Sequence, residues 1–308
     1  MSYLADLTVR LATGLGELPE SFRQRHAQYL LRAQNPDGSF SGREGAGDLY
    51  YTGFALRGLA MLGELDGTPA RLAADFLRQQ LHRRVAIIDF LSLVYGGMLL
   101  EMSAGIDIFA ESTPEWRDAV AAALERFRRP DGGYARTEEG AGSSTYYTFL
   151  MTLCNQLIGR EPPGRESIIT FVRSRQRDDG GFVDLSPMPR SGTNPTAAAV
   201  GTLRVFDVLD DAVRSDVTEF LAERQNDEGG LTANTRIPLA DVLSSFTGLL
   251  TLCDLGGETE LDLLALRRYI ESMEQPEGGF RGASLDPASD VEYTFYGLGA
   301  MGLLARQQ

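Results

Sequence analysis

QNPDGSF (residues 34–40) is the first of five variants of one short turn; RRPDGGY (128–134), QRDDGGF (176–182), QNDEGGL (225–231) and QPEGGF (275–280) are the others. Their leading glycines, Gly38, Gly132, Gly180, Gly229 and Gly278, are separated by 94, 48, 49 and 49 residues. The first step is twice 47, so a degenerate unit is expected between the first two copies, over residues 68–111. Six units of near-constant length mark a repeat protein.

Each unit reads alike. Before the turn, apolar residues fall at helical spacing: Val120, Leu124, Phe127; Ile168, Phe171, Val172; Val217, Phe220, Leu221; Leu266, Tyr269, Ile270. Thr68-Pro69 and Thr113-Pro114 read as pairs opening two such helices, and the glycine turn as the device ending each one. After a loop, a second and more apolar helix is expected at 51–62, 147–157, 196–205, 241–252 and 292–304. Nothing alternates as a sheet would. Apolar helices need burial on all sides, so they belong in an inner ring with the amphipathic helices outside. We expect one all-α domain over residues 1–308, an α/α toroid of six hairpins, with an open superhelix as the alternative.

Composition narrows the function. The 308 residues are 43% hydrophobic and 23% charged, and 43 acids against 29 bases give a net charge of −14. Such a chain repels a phosphate backbone, so no nucleic-acid partner is expected. There is no lysine, which excludes a P-loop and Schiff-base chemistry. Cys154 and Cys253 sit in apolar stretches and read as buried thiols of a cytoplasmic protein. The opening residues, with Asp6 and Arg10, are no secretory signal; the apolar run 85–102, with Asp89 and Glu101, reads as a buried helix and not a membrane span.

In a ring, all the loops preceding inner helices meet at one end, where helix N-termini favour anions. Five of these loops carry an arginine: Arg43, Arg136, Arg190, Arg236 and Arg281. They suit phosphate oxygens; alternatively they pair with Glu44, Glu138, Glu139 and Asp286 of the same loops. The helices beyond open with aromatics, including Tyr51, Tyr147, Phe246 and Tyr296. Aromatic walls below a cationic rim fit a long apolar chain with an anionic head, the shape of an isoprenyl diphosphate.

These turns, followed by helices opening with Tyr-Thr, resemble the prenyltransferase and terpene-cyclase repeat superfamily over residues 23–304. GGLTANTRIPLADVLSSF (229–246) and GGFRGASLDPASDVEYTFYGLGAMGLL (278–304) are most similar to β subunits of protein prenyltransferases, especially the Rab geranylgeranyl type. That resemblance implies a helical α-subunit-like partner; a homodimer is the alternative. It also implies a zinc held by Asp, Cys and His, whose positions here carry Asp241, Leu243 and Tyr293. Leucine has no ligating atom, so no zinc, and no cofactor, is expected. The resemblance places Arg190 and Arg236 at diphosphate-contacting positions, and Asp241 and Tyr293 in the reacting region as base or cation stabiliser.

Other strings carry less. Asp207-Val-Leu-Asp210-Asp211 has the wrong spacing for a cyclase Asp-x-Asp-Asp acid and reads as a solvated turn. Gly297-Leu-Gly299-Ala-Met-Gly302 spells a dinucleotide fingerprint without the strand it needs, and reads as helix packing. His26 and His82 are expected on outer helices, at the surface or half buried. Two further classes stay open: a non-catalytic isoprenoid-binding or scaffold homologue, and a terpene- or glycan-processing toroid. The glycan reading would draw on Asp48, Glu139, Asp241, Asp290 or Glu292, though the single tryptophan, Trp116, offers little stacking surface.

Overall fold

The repeat unit becomes a helix pair. A computed structural model describes residues 2–81 and 87–307, and in these the chain forms thirteen α-helices. A leading helix, α1 (Tyr3–Gly16), precedes six pairs: α2 (Glu20–Arg32) with α3 (Leu49–Leu62), α4 (Gly67–Gln80) with α5 (Ile87–Ala104), and α6 (Trp116–Glu125) with α7 (Thr145–Leu157). They continue with α8 (Arg165–Arg173) and α9 (Thr193–Val205), α10 (Asp211–Ala222) and α11 (Val242–Leu255), and α12 (Leu263–Met273) and α13 (Val291–Ala305). The degenerate unit is thus the α4–α5 pair. His82 lies outside the described residues. Among those residues the only strands are two-residue β1 (Phe280–Arg281) and β2 (Ser289–Asp290), paired antiparallel with Phe280 opposite Asp290.

The chain folds as two compact units, residues Met1–Pro114 with Ile270–Gln308, and Glu115–Tyr269. In the first unit the apolar helix α3 packs on both α5 and α13, and α1 packs along α13 and α3. That contact joins the two ends of the chain at glycine: a Cβ on Gly14 would land in the Gly302 carbonyl. In the second unit α9 lies between α7 and α11, with α8 against α9 and α10 against α11.

The turns work differently from the reading of glycine as a helix cap. Each amphipathic helix stops several residues earlier, at right-handed caps such as Ala33, Arg126, Ser174 and Glu223. The leading glycine instead forms the corner of a separate turn, with φ between 83° and 92°. It lies against the backbone of another amphipathic helix, at Leu72, Ser167, Asp216, Ala265 or Arg25, leaving no room for a side chain. The residue ending each turn, Phe40, Tyr134, Phe182, Leu231 or Phe280, is fully buried. Its amide donates to a hydroxyl on the fourth residue of the following apolar helix: Thr52, Thr148, Thr196, Ser245 or Thr294, at 2.9–3.2 Å. A buried amide left unpaired is costly, so this bond fixes the register of turn against helix.

The other expected starts also shift. Three apolar helices, α3, α7 and α9, begin two or three residues before their expected starts, behind the caps Asp48, Ser144 and Gly192, and α13 begins one residue early behind Asp290. Thr68-Pro69 lies inside the first turn of α4, behind Asp66, and Thr113-Pro114 precedes α6, whose first residue is Trp116. The Asp207–Asp211 string is a turn after α9: Asp207 takes a left-handed φ of 55°, and Asp210 caps α10 through the Val213 amide. The glycine fingerprint sits within α13, where Gly297 lies under the Phe280 ring.

Candidate functional site

The loops leading into the apolar helices hold the expected arginines, and the helices themselves the expected aromatics. In the second unit, the loops before α9 and α11 are tied side by side. The Thr193 amide donates to Ala233 O at 2.9 Å, Thr193 Oγ1 to Thr232 O at 2.7 Å, and Arg190 to Thr235 Oγ1 at 3.0 Å. Arg190 and Arg236 are exposed, as is Arg136 on the loop before α7. None of the three has a carboxylate within ion-pair distance among the described residues. Glu138 pairs instead with Arg126. Two residues beyond Arg190, α9 starts at Gly192, with no side chain capping its first turn, unlike α7 and α11.

Asp241 caps α11. Its Oδ1 accepts the Ser244 amide at 2.6 Å and its Oδ2 accepts Ser244 Oγ at 2.8 Å. Burial raises its pKa above the usual aspartate value, against the lowering effect of those bonds. Leu243 follows, half buried, on the same first turn. Tyr147 is half buried, edge-on to Tyr146, and Phe246 is buried in α11.

In the first unit Arg43 is neutralised internally. Arg43 makes two parallel bonds to Asp286, at 2.9 and 2.6 Å, and a third to Asp290 at 2.9 Å. These partners raise its pKa, and its guanidinium hydrogen bonds hold Asp286 below the usual carboxylate range. The Arg43 guanidinium also covers the Tyr293 ring, at 5.5 Å from the centroid. Arg281 donates to Ser272 O. Tyr51, its pKa raised by burial and then by nearby carboxylates, packs edge-on to Tyr50, while Tyr296 packs on Phe54, Tyr293 and Phe295. Arg43 is therefore charge-paired, but with Asp286 and Asp290 of the loop before α13 and not, as expected, with an acid of its own loop such as Glu44.

The sequence reading passed over two features. Arg57 is the one charged residue of α3, and that isolation in an apolar helix was the available signal. Its guanidinium stands over Phe54, Tyr95 and Phe295, at 5.0, 5.4 and 5.7 Å, with no acceptor among the described residues. Glu292 is bonded by Tyr50 at 2.6 Å, and burial raises its pKa. His26 was expected at the surface or half exposed; it is fully buried, stacked on Phe280, with Nδ1 accepting the Gly279 amide at 3.0 Å. Cys154 is buried and Cys253 half buried.

Three carboxylates counted for glycan chemistry, Asp48, Asp241 and Asp290, are helix caps. The residues at the family's zinc positions do not fit that metal: Leu243 offers no donor, a phenol replaces the imidazole, and Asp241 holds its own helix with both oxygens. No helix among the described residues is long and apolar enough to cross a membrane.

The sequence profile of the prenyltransferase alpha-alpha toroid domain matches residues 6–95 and 98–308. A search of curated proteins gives no match. Among solved structures, the chain is similar to Candida albicans protein geranylgeranyltransferase-I complexed with GGPP, with a TM-score of 0.73 and 18% identity over 91% of this chain and 90% of that one. A variant of the type II terpene cyclase MstE from Scytonema, in complex with geranylgeranyl dihydroxybenzoate, aligns at a TM-score of 0.63 with 14% identity, over 99% and 100% of the two chains. The GH76A alpha-1,6-mannanase from Salegentibacter aligns at 0.63 with 10% identity, over 94% and 99%. At these identities the structures share a fold.

Proposed function

The chain belongs to the prenyltransferase alpha-alpha toroid family, and from that premise we propose that it binds an isoprenyl diphosphate, with Arg190 and Arg236 gripping the head group. The observation that carries this reading is the pair of arginines left without carboxylate partners, on hydrogen-bonded neighbouring loops, in a chain of net charge −14. Guanidinium forks match phosphate oxygens, and the uncapped start of α9 adds a helix dipole of favourable sign. Half-buried Tyr147 offers apolar surface on α7, which packs against α9, and Phe246 is buried in α11. The likeness of residues 229–246 and 278–304 to Rab-type β subunits supports the same ligand class, and the family match supports one domain over residues 1–308.

Transfer of the prenyl group without zinc would make Asp241 the base and Tyr293 the cation stabiliser. A specific observation favours the second reading, a binding protein without turnover. Both Asp241 oxygens already accept hydrogen bonds, and the Tyr293 face is covered by the Arg43 cation. A ring face so occupied is a poor host for another positive charge.

The test is a thermal shift with geranylgeranyl and farnesyl diphosphate. A ligand at about a hundred times its Kd stabilises the native state by ~2.7 kcal/mol, a rise of several degrees for a chain of this size. The double change Arg190→Ala with Arg236→Ala removes the shift. No shift with either lipid sinks the isoprenoid readings, and product formation with candidate acceptors then separates transferase from binder.

A further inference from the structure

We propose that the paired loops before α9 and α11 form a docking surface for an anionic lipid bilayer. Scattered exposed apolar residues are ordinary on any protein. Here four fall on just these two loops: Leu185, Met188, Ile237 and Leu239, at 41, 44, 47 and 39% exposure. The loops are one surface, joined by the Arg190 bond to Thr235 and by the bridge between Gly192 and Asn234. Tyr146, also exposed, adjoins them, because its amide donates to Asp184 at the start of the first loop.

Charge selects the occupant. Residues 184–191 and 232–240 hold two arginines and one carboxylate, Asp184, which is engaged by Ser144 Oγ and the Tyr146 amide at the start of α7. A chain carrying −14 is repelled by an anionic bilayer over most of its surface, so the approach that survives presents this face. Leucine, isoleucine and methionine side chains enter the acyl boundary, while arginine and tyrosine sit at headgroup level. Pro187, Pro189 and Pro238 restrict the loops in the free state, so less conformational entropy is lost on docking. The surface stands without the isoprenoid reading, although a lipid substrate would reach such a protein from a membrane.

The experiment is vesicle co-sedimentation of the full chain, using phosphatidylcholine alone and the same lipid doped with phosphatidylserine, neither containing isoprenoid. The chain should bind the doped vesicles more strongly, and salt should weaken that binding. Changing Leu185, Met188, Ile237 and Leu239 together to serine should lower partitioning by about tenfold or more. These side chains are exposed, so the variant should keep the wild-type melting temperature and any isoprenoid-induced shift. No binding of the wild type to doped vesicles, or equal binding by the variant, overturns the proposal. So does a wild-type dimer by light scattering that the variant loses, since the surface would then serve a second copy. Vesicle binding without an isoprenoid shift would leave this surface standing and remove the proposed head-group site.

Discussion

The two units build the same turn, yet Arg43 of the first and the three loop arginines of the second are used in opposite ways. In the first, Arg43 is held by Asp286 and Asp290, residues nearly the whole chain away, and its charge is spent on the loop leading into α13. In the second, Arg136, Arg190 and Arg236 occupy comparable loops with no acid partner among the described residues. A repeat therefore fixes where an arginine stands but leaves its counter-ion to each unit. An arginine neutralised inside the protein contributes to stability; one left free is available to a ligand.

The largest test of this contrast is at the contact between α1 and α13. Gly14→Val would drive side-chain atoms into the Gly302 backbone, which cannot rotate away. We expect a loss of about 3 kcal/mol or more, visible as a fall of roughly 6–12 °C in melting temperature. Gly16→Val, two residues on, meets nothing and should cost less than ~1 kcal/mol. Equal effects would mean that the chain's ends do not meet at this contact.

Arg43→Ala comes next. It leaves Asp290, whose side chain is 5% exposed, without its cation. Because Arg43 itself is about a third exposed, solvent screens part of the loss, and ~2 kcal/mol is expected by denaturant unfolding. Arg190→Ala should change stability by under ~0.5 kcal/mol while weakening the isoprenyl diphosphate shift. The reverse pattern would exchange the roles assigned to the two units.

Thr196→Val in the second unit and Thr52→Val in the first remove the same hydroxyl from the same buried amide, at Phe182 and Phe40. Each should cost about 1–2 kcal/mol. Similar costs would show that the turn-to-helix bond is common to both units, whatever their arginines do.

How much of this the sequence revealed depends on the range of each interaction. Helix pairs and turns were legible because glycine spacing and apolar periodicity are local. The cap at Asp241 was hidden, because the same residue also fits the family's metal position; only the bonds to Ser244 show what the carboxylate holds. The ends of the amphipathic helices were misread, since a positive-φ glycine ends a helix or turns a corner with the same local preference. The Arg43 partners at 286 and 290 were half legible: Asp286 shares the loop pattern, but the contact across the chain has no signature. Arg190 and Arg236 stood out as charge, yet their freedom is known only once neighbouring acids are placed.

The smallest expected effect concerns one amide. At three turns the aspartate before the leading glycine accepts the amide two residues on: Asp37 from Ser39, Asp131 from Gly133 and Asp179 from Gly181. The fourth turn has Glu228, which accepts the Ala240 amide, and the last has Glu277, where the Gly279 amide goes to His26 Nδ1. Accepting that bond requires an unprotonated Nδ1. Burial lowers the His26 pKa below its reference of 6.5, against the opposing pull of Glu274, while Arg25 reinforces the lowering. A base whose folded pKa is depressed contributes full stability above its unfolded pKa and loses it as pH falls toward the folded value. The melting temperature should therefore decline as pH falls below about 6.5, by an amount equivalent to roughly 1 kcal/mol per unit of pKa shift. His26→Leu should remove that part of the slope at the cost of the buried amide's partner. Adding Glu277→Asp should restore an acceptor from within the turn, as in the other three, and recover stability without restoring the slope. If the double variant is no more stable than His26→Leu alone, the histidine is not substituting for the aspartate at this turn.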